Sequence, residues 1–198
     1  DEIFITRDQG TQSFYKYNIT SNTWATLTNT PQATRYVGAI YNSSDDYVYV
    51  FRGNGTYDFW KYNLTTNAFL GPADLPTTPG YGADLVYYNG YLYHPRGNNT
   101  QNFYRYNIAT NAWDAALDNT PATFNDDTKG VVAGGVLYFF RGGNSRSFYK
   151  YDPISTDWTT LSDTSVNIYY GATLTYPGSG NFIYATRGSL TRTFMRYS

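Results

Sequence analysis

The chain has 198 residues, a formal net charge of −1 and no cysteine, and one residue in five is aromatic, with 23 tyrosines. This length can bury a substantial hydrophobic core. The lack of cysteine excludes thiol catalysis, disulfide bonds and cysteine-based metal sites, and the near-neutral charge provides no basic field for nucleic acid. No apolar stretch approaches the ~20 residues of a membrane span, so the sequence predicts none.

One short sequence motif, which we call the repeated word, recurs along the chain and shows how the chain is organised. It reads FYKYN, FWKYN, FYRYN, FYKYD and FMRYS, at residues 14–18, 59–63, 103–107, 148–152 and 194–198. An apolar run that ends on an arginine precedes each copy, and these arginines are Arg7, Arg52, Arg96, Arg141 and Arg187. An aromatic residue follows each of the first four copies, namely Trp24, Phe69, Trp113 and Trp158. A period of about 45 residues indicates a repeat architecture.

Each repeat predicts four short antiparallel strands, which we name a, b, c and d. Strand b ends at the arginine, strand c is the repeated word, and strand d carries the later aromatic residue. Asn89-Gly90 and Gly134-Gly135, between strands a and b, are typical of tight hairpins, and no window has helical periodicity. The first repeat begins at strand b and the last ends at strand c, which predicts five b, five c, four a and four d strands.

Radial stacking lets such sheets bury both faces, as in a β-propeller. An apolar strand that ends at a glycine, then x-x-Tyr-Asn/Asp-x-x-Thr-x-x-Trp, then proline, resembles the kelch repeat of β-propellers over essentially the whole chain. The resemblance implies a single propeller domain over residues 1–198, whether whole or cut from a larger one. Arg-Gly stands where kelch repeats usually carry Gly-Gly, so no function of a particular kelch protein is transferred. The strand count fits four blades with a hairpin left over, five blades, or a window of a larger ring, and we expect five.

The repeated word predicts two packing surfaces, because alternate side chains of a strand point to opposite faces. Its first aromatic residue and its basic residue share one face, and its other two aromatic positions share the opposite face. We expect both faces to pack between neighbouring blades rather than to bind a ligand. The basic side chain would lie along an aromatic ring and keep its charged end in water.

The five arginines end equivalent strands, so a propeller would place them at one level around its axis. A ring of guanidinium groups would suit a carboxylate or phosphate ligand. Alternatively, each arginine binds backbone carbonyl groups of a neighbouring blade's loop and stacks on a tyrosine. Every repeat carries the arginine, whereas a ligand site usually breaks the symmetry of its scaffold. We therefore expect the structural role, above all for Arg52, Arg96 and Arg141.

Side chains suited to catalysis are few. His94 is the single histidine and Glu2 the single glutamate. A lone histidine cannot hold zinc or copper, so we expect His94 to be a half-exposed strand residue. The residue sets of kelch-type copper oxidases and of sialidases are missing, and the pairs Asp45-Asp46 and Asp126-Asp127 have turn positions rather than calcium-loop spacing. We predict no enzymatic activity, no metal and no cofactor.

The abundance of Thr, Asn, Ser, Gly and Tyr favours an extracellular or cell-surface location. Five Asn-x-Ser/Thr sequences are candidate glycosylation sites, at Asn18, Asn42, Asn54, Asn63 and Asn98. The chain shows no signal peptide, so for a secreted protein it would represent a mature form or an internal fragment.

Three classes of function fit these observations. The first is a structural protein whose unmatched terminal strands pair with other copies to give an oligomer, fibre or tube. The second is a glycan- or peptide-binding module with tyrosine-rich loops, and the third, least favoured, is a propeller enzyme. We expect the first, with other copies as partners, glycans as the alternative ligand, and no nucleic acid.

Overall fold

The computed structural model describes residues 1–7, 9–53, 55–71, 73–81 and 83–198. Regular structure in these ranges is entirely β, in five antiparallel sheets. The first sheet contains β1 (Glu2–Thr6), β2 (Phe14–Asn18) and β3 (Thr23–Thr26). The second contains β4 (Gly38–Asn42), β5 (Tyr47–Phe51), β6 (Phe59–Asn63) and β7 (Ala68–Leu70).

The other three sheets repeat this order. The third contains β8 (Val86–Tyr88), β9 (Tyr91–Pro95), β10 (Phe103–Asn107) and β11 (Ala112–Trp113). The fourth contains β12 (Lys129–Ala133), β13 (Val136–Phe140), β14 (Phe148–Asp152) and β15 (Asp157–Thr160). The fifth contains β16 (Thr173–Thr175), β17 (Ile183–Thr186) and β18 (Phe194–Tyr197). Among the described residues, no helix has the length and apolar character needed to cross a membrane.

The five sheets are propeller blades, which confirms the predicted all-β fold and the favoured count of five. The four-blade alternative is wrong. As predicted, the first blade holds strands b, c and d, and the last holds strands a, b and c. The sequence therefore specified each strand's place in its blade.

Local turn chemistry explains the hairpins. Asn89 and Gly90 have φ of 47° and 83°, the left-handed values that a tight two-residue hairpin turn requires. In the turn between strands c and d of the second blade, Asn63 Oδ1 accepts hydrogen bonds from the backbone N–H groups of Thr65 and Thr66, at 2.9 and 2.8 Å. The repeated word thus ends on a residue whose side chain starts the next turn.

The chain forms two compact units, Asp1–Pro79 with the first two blades and Gly80–Ser198 with the other three. Within each unit, the core lies between the faces of consecutive blades. In the first unit it contains Phe14 from one blade and Val48 and Tyr62 from the next. Burial between blades is how sheets of this size remove both faces from water.

The basic residue of the word lies across an aromatic ring at the start of strand b, as expected from the sequence. This arrangement joins Lys61 to Tyr47 at 4.8 Å, Arg105 to Tyr91 at 4.4 Å and Arg196 to Phe182 at 4.4 Å, measured from the charged group to the ring centroid. In the first blade Glu2 holds the same place, and its carboxylate lies 2.8 Å from Lys16 Nζ.

Candidate functional site

The first aromatic residue of the repeated word, which we call the knob, inserts between blades. The knobs Phe14, Phe103 and Phe148 expose 1% of their surface or less. Phe103 meets the rings of Tyr151 and Trp158 edge-on, with 5.0 Å between ring centroids in both cases. Such edge-to-face contacts add to the gain from burying the rings.

The knobs Phe14 and Phe103 are each received by two rings of the following blade, which we call the socket. One ring is a tyrosine of strand c, and the other is the aromatic residue of strand d. In the second blade Tyr62 and Phe69 lie 4.9 Å apart at 51°, and in the fourth Tyr151 and Trp158 lie 5.0 Å apart at 48°. Burial raises the pKa of Tyr151 to about 12, so this ring keeps its proton at all physiological pH values.

The first blade carries an exposed socket. Tyr17 and Trp24 have their ring centroids 4.9 Å apart at 45°, yet 60% of the Trp24 surface is exposed. Ile3 and Ile5 are exposed on the same face, opposite Tyr17 and Tyr15 in the strand register. Trp24, Ile3 and Ile5 thus form a cluster of exposed large apolar side chains.

The last blade carries the counterpart, an exposed knob. Phe194 exposes 68% of its surface, whereas Phe148 at the same position of the preceding blade exposes 1%. Phe194 is stacked on Tyr184, with centroids 5.7 Å apart and ring planes 10° apart. The first and last blades therefore each expose aromatic rings whose counterparts in the blades between them are buried or half-buried.

Both terminal blades also have an open strand edge. Among the described strands, β1 pairs only with β2, and β18 pairs only with β17. A groove of about 160 Å³ lies beside β18, with Phe148, Leu174 and Met195 in its wall. An open edge beside an apolar groove can accept a strand from another chain.

The repeated arginines fasten the linkers that lead into their own blades. In three of them the side-chain Nε donates to a linker carbonyl: Arg52 to Ala33 at 2.9 Å, Arg141 to Thr123 at 2.7 Å and Arg187 to Asn167 at 3.0 Å. The arginine's own carbonyl accepts a hydrogen bond from the N–H two residues further along, at Arg35, Asn125 and Tyr169 respectively. Each arginine therefore holds its linker at two points.

Arg96 makes the same backbone contact to its own linker, whereas Arg7 is exposed. The carbonyl of Arg96 accepts a hydrogen bond from Gly80 N–H at 2.7 Å, and its side chain is half-buried. Arg7 is exposed and lines a groove with Ile5 and Trp24. Arg187 also lies over the ring of Tyr169, 5.3 Å from its centroid.

The glycine after the arginine lets the linker approach closely. Gly53, Gly142 and Gly188 have φ of 73°, 72° and 79°, which side-chain-bearing residues rarely adopt. A Cβ at Gly142 would overlap the backbone oxygen of Asp126. Close packing of the linker thus requires the glycines at Gly53, Gly142 and Gly188, where a Cβ would lie within 2.3 Å of a backbone oxygen.

A family profile described as a repeat of unknown function, DUF6923, matches residues 16–128, more than half of the chain. The chain belongs to this family. A comparison with curated protein sequences finds no match. A solved structure titled "Structure of YjhT" superposes with a TM-score of 0.74 at 15% sequence identity, covering 93% of this chain and 69% of that one. At that identity the likeness shows the propeller fold alone.

The single histidine of this DUF6923 chain is buried, so the expectation of a half-exposed residue was wrong. His94 lies on β9, an inner strand of its sheet, with its ring 6.0 Å from that of Trp113, and is fully buried. Its Nδ1 is 3.0 Å from the carbonyl oxygen of Asp84. Burial lowers the pKa of His94 to about 4, which keeps it neutral. In the described part of the chain, no three His, Asp or Glu side chains converge as metal ligands would.

At two of the candidate glycosylation sites, the asparagine amide donates a hydrogen bond within the DUF6923 fold. The Asn42 amide is buried and donates to Asp45 Oδ1 at 2.8 Å. The Asn63 amide is half-buried and donates to the Tyr47 hydroxyl at 2.8 Å. An oligosaccharide would have to replace these hydrogen bonds.

The remaining candidate glycosylation sites differ in access. Asn98 is exposed in a loop after strand b, whereas Asn18 is half-buried at the end of β2. Asn54 lies outside the described residues. Asn98 is therefore the described site most open to modification.

Proposed function

We propose that this protein is a non-catalytic extracellular or cell-surface propeller that associates with other copies of itself through its terminal blades. The observation that carries the proposal is the pair of exposed aromatic surfaces around Trp24 and Phe194. Leaving such surfaces in water is unfavourable, and association removes them from it. The product is an oligomer, a fibre or a tube, depending on whether successive contacts close.

The repeat is best interpreted as kelch-like. The order of strands a to d, the turn after Asn63 and the aromatic residue of strand d support this interpretation. In this interpretation the arginines are structural, because Arg52, Arg141 and Arg187 donate to linker carbonyls. The extracellular location rests on the composition and on the accessible Asn98.

A structural role is favoured over catalysis by the state of the titratable groups. His94 is enclosed and neutral, and the Asp45 carboxylate accepts hydrogen bonds from Asn42 and Tyr49 in its own hairpin. General acid–base catalysis needs such groups within reach of a substrate. These two groups are used to build the blades.

Sedimentation velocity over a wide range of protein concentration tests the proposal. We expect the average mass to rise with concentration and to persist in high salt, because apolar contacts are not screened as ion pairs are. A chain that stays monomeric at the highest soluble concentration would overturn self-association.

A glycan-binding role is the second candidate, and exposed tyrosines favour it. Tyr81 and Tyr170 lie in the linkers before strand a of the third and fifth blades, and each exposes more than half of its surface. Tyrosine rings can stack on sugar faces while their hydroxyls stay in water. A change in tyrosine fluorescence on adding oligosaccharides, lost in Tyr170→Ala, would support this role.

A further inference from the structure

We infer that Asn89 is a site of chemical modification, at which the folded protein exchanges the side-chain amide for a carboxylate. Asn89 is exposed, and it is the first residue of the two-residue turn that joins β8 and β9. The backbone nitrogen of Gly90 attacks the side-chain carbonyl carbon of Asn89, and ammonia leaves with the Gly90 proton, so that a succinimide ring closes. Water then opens the ring at one of its two carbonyl groups and gives aspartate or isoaspartate. The reaction consumes water alone and is independent of self-association.

The hairpin leaves the peptide group between Asn89 and Gly90 able to rotate. Among the described residues, no donor or acceptor pairs with the Gly90 N–H or with the Asn89 carbonyl oxygen. The turn is held on either side of this peptide, by the pairing of Tyr88 with Tyr91 and by a hydrogen bond of 3.1 Å from the Ile108 N–H to the Gly90 carbonyl. The reacting peptide can therefore rotate while the hairpin stays in place.

The backbone of the turn is already close to the conformation that the ring needs. A closed succinimide ring sets ψ of Asn89 near the value found at the first central residue of a type II′ turn, about −120°, where φ is about +60°. Asn89 has φ of 47° and Gly90 has φ of 83°, as in a type I′ turn. These two hairpin turns differ mainly by rotation of the central peptide plane. Asn89 therefore keeps its φ during ring closure, and Gly90 accepts the negative φ that the rotation gives it.

The Asn89 side chain is also available for reaction, unlike that of another asparagine in a turn of the same blade. Asn111 has a similar φ of 52°, but its Oδ1 accepts a hydrogen bond from the Tyr106 hydroxyl at 3.2 Å. The Asn89 amide has no such partner in the described part of the chain. Gly90 offers no obstacle, because even an added Cβ would have no neighbour within 4 Å. Water and the attacking nitrogen can therefore both reach the Asn89 side-chain carbonyl.

The two products differ in their effect on the hairpin. Aspartate leaves the main chain unchanged, and Asp-Gly suits the same turn as Asn-Gly. Isoaspartate directs the main chain through the former side chain and adds one carbon to the turn, which disturbs the register of β8 and β9. Either product adds a negative charge to a chain whose formal net charge is −1.

Peptide mapping of the full chain after incubation in mildly alkaline buffer tests the inference. We expect the mass change of an amide-to-acid exchange in the peptide that carries Asn89, with isoaspartate detected by enzymatic methylation. Asn89 should react at least about tenfold faster than Asn111, since the Asn111 oxygen must first leave the Tyr106 hydroxyl and the next residue, Ala112, carries a side chain. Asn54 also precedes a glycine, and peptide mapping separates its reaction from that of Asn89.

Asn89→Gly is the matched variant, because it repeats the Gly134-Gly135 turn of the next blade. That turn has φ of 58° and 81°, close to the values at Asn89 and Gly90. The variant should fold and melt like freshly prepared wild type, and its melting temperature should stay constant during incubation. Wild type should lose thermal stability as isoaspartate accumulates.

Three results would overturn the inference. If the native chain keeps the Asn89 amide while the same peptide reacts in urea, the fold protects the turn. Equal rates at Asn89 and Asn111 would contradict the argument from the unbound amide and the open turn. A wild-type chain that loses stability during incubation no faster than folded Asn89→Gly, although isoaspartate has formed at position 89, would contradict the effect on the hairpin.

Discussion

Replacing Arg141 by methionine removes the hydrogen bonds between a strand and its linker, while the methionine keeps an apolar side chain of similar length. The wild-type side chain donates from Nε to the Thr123 carbonyl at 2.7 Å and from a terminal nitrogen to Thr123 Oγ1 at 3.3 Å. Hydrogen bonds from a charged donor contribute about 1.5–3 kcal/mol each, and here water can partly replace the lost donor because both residues are half-buried. We expect Arg141→Met to lower the free energy of unfolding by about 2 kcal/mol.

Thermal and urea unfolding measure this effect, with a fall in Tm of about 4–8 °C expected for a chain of this size. Arg141→Lys should lose most of the same stability, because a lysine cannot reproduce the planar guanidinium contact. Arg146→Met is the matched control: Arg146 donates to the Thr164 carbonyl at 2.6 Å but is exposed, so its loss should cost under about 1 kcal/mol.

A variant Arg141→Met that melts like wild type would refute the structural role of the arginine. If the same variant lost binding to a carboxylate or phosphate, the arginines would instead form an anion site. The stability measurement and the binding measurement therefore decide between the two roles open from the sequence.

Three further predictions follow from single positions. Burial lowers the pKa of His94 from 6.5 to about 4 in the folded protein, so between these values the unfolded chain binds a proton that the folded protein does not. The contribution of the neutral histidine to stability is therefore complete above pH 6.5 and is lost as the pH falls. At pH 4 we expect the free energy of unfolding to be lower by about 3 kcal/mol. Urea titrations at several pH values should show this fall in the free energy of unfolding for wild type and a smaller one for His94→Phe. The same pH dependence in both proteins would refute the prediction. Gly142→Ala should lower the free energy of unfolding by at least about 2 kcal/mol more than Gly90→Ala, because both glycines have positive φ but only Gly142 lies against neighbouring backbone. Equal melting temperatures of the two variants would refute this reasoning. After secretion from a glycosylating host, intact mass and peptide mapping should find sugar at Asn98 and none at Asn42, and modified Asn42 would contradict its burial.

The strand order and the faces of the repeated word were predictable because they depend on local patterns. Side chains of a strand alternate between its two faces, which assigns Phe103 and Arg105 to one face of β10. The left-handed turn at Asn89-Gly90 depends on these two residues alone and not on a distant part of the chain. Such features repeat every blade and can be read from one copy.

Contacts of the arginines with backbone carbonyls were predicted, but the exposure of Phe194 and the particular carbonyls involved were not, because they depend on which residues lie opposite. Phe148 and Phe194 open the same word, yet one is buried by a following blade and the other is exposed. The carbonyls that receive the arginines belong to Ala33, Thr123 and Asn167, which share no side-chain chemistry. The burial of His94 likewise comes from neighbours such as Trp113 rather than from its own strand.

Self-association through the terminal blades, as proposed above, would be weak and reversible. The exposed parts of Trp24 and Phe194 together amount to ~250 Å², which contributes about 6 kcal/mol when buried, and the entropic cost of association offsets much of this. A dissociation constant in the millimolar range or weaker, roughly −4 kcal/mol at most, is expected. Assembly experiments therefore need protein concentrations across that range.

Photo-crosslinking from position 194 tests the central claim most directly. A photoreactive phenylalanine analogue in place of Phe194 keeps the ring, and a mixture of isotope-labelled and unlabelled copies shows which adducts join different molecules. Self-association through the terminal blades predicts adducts between copies on the exposed surface of the first blade, which carries Tyr17 and Trp24. Adducts on other surfaces, or no adducts between copies at concentrations where the protein assembles, would contradict it.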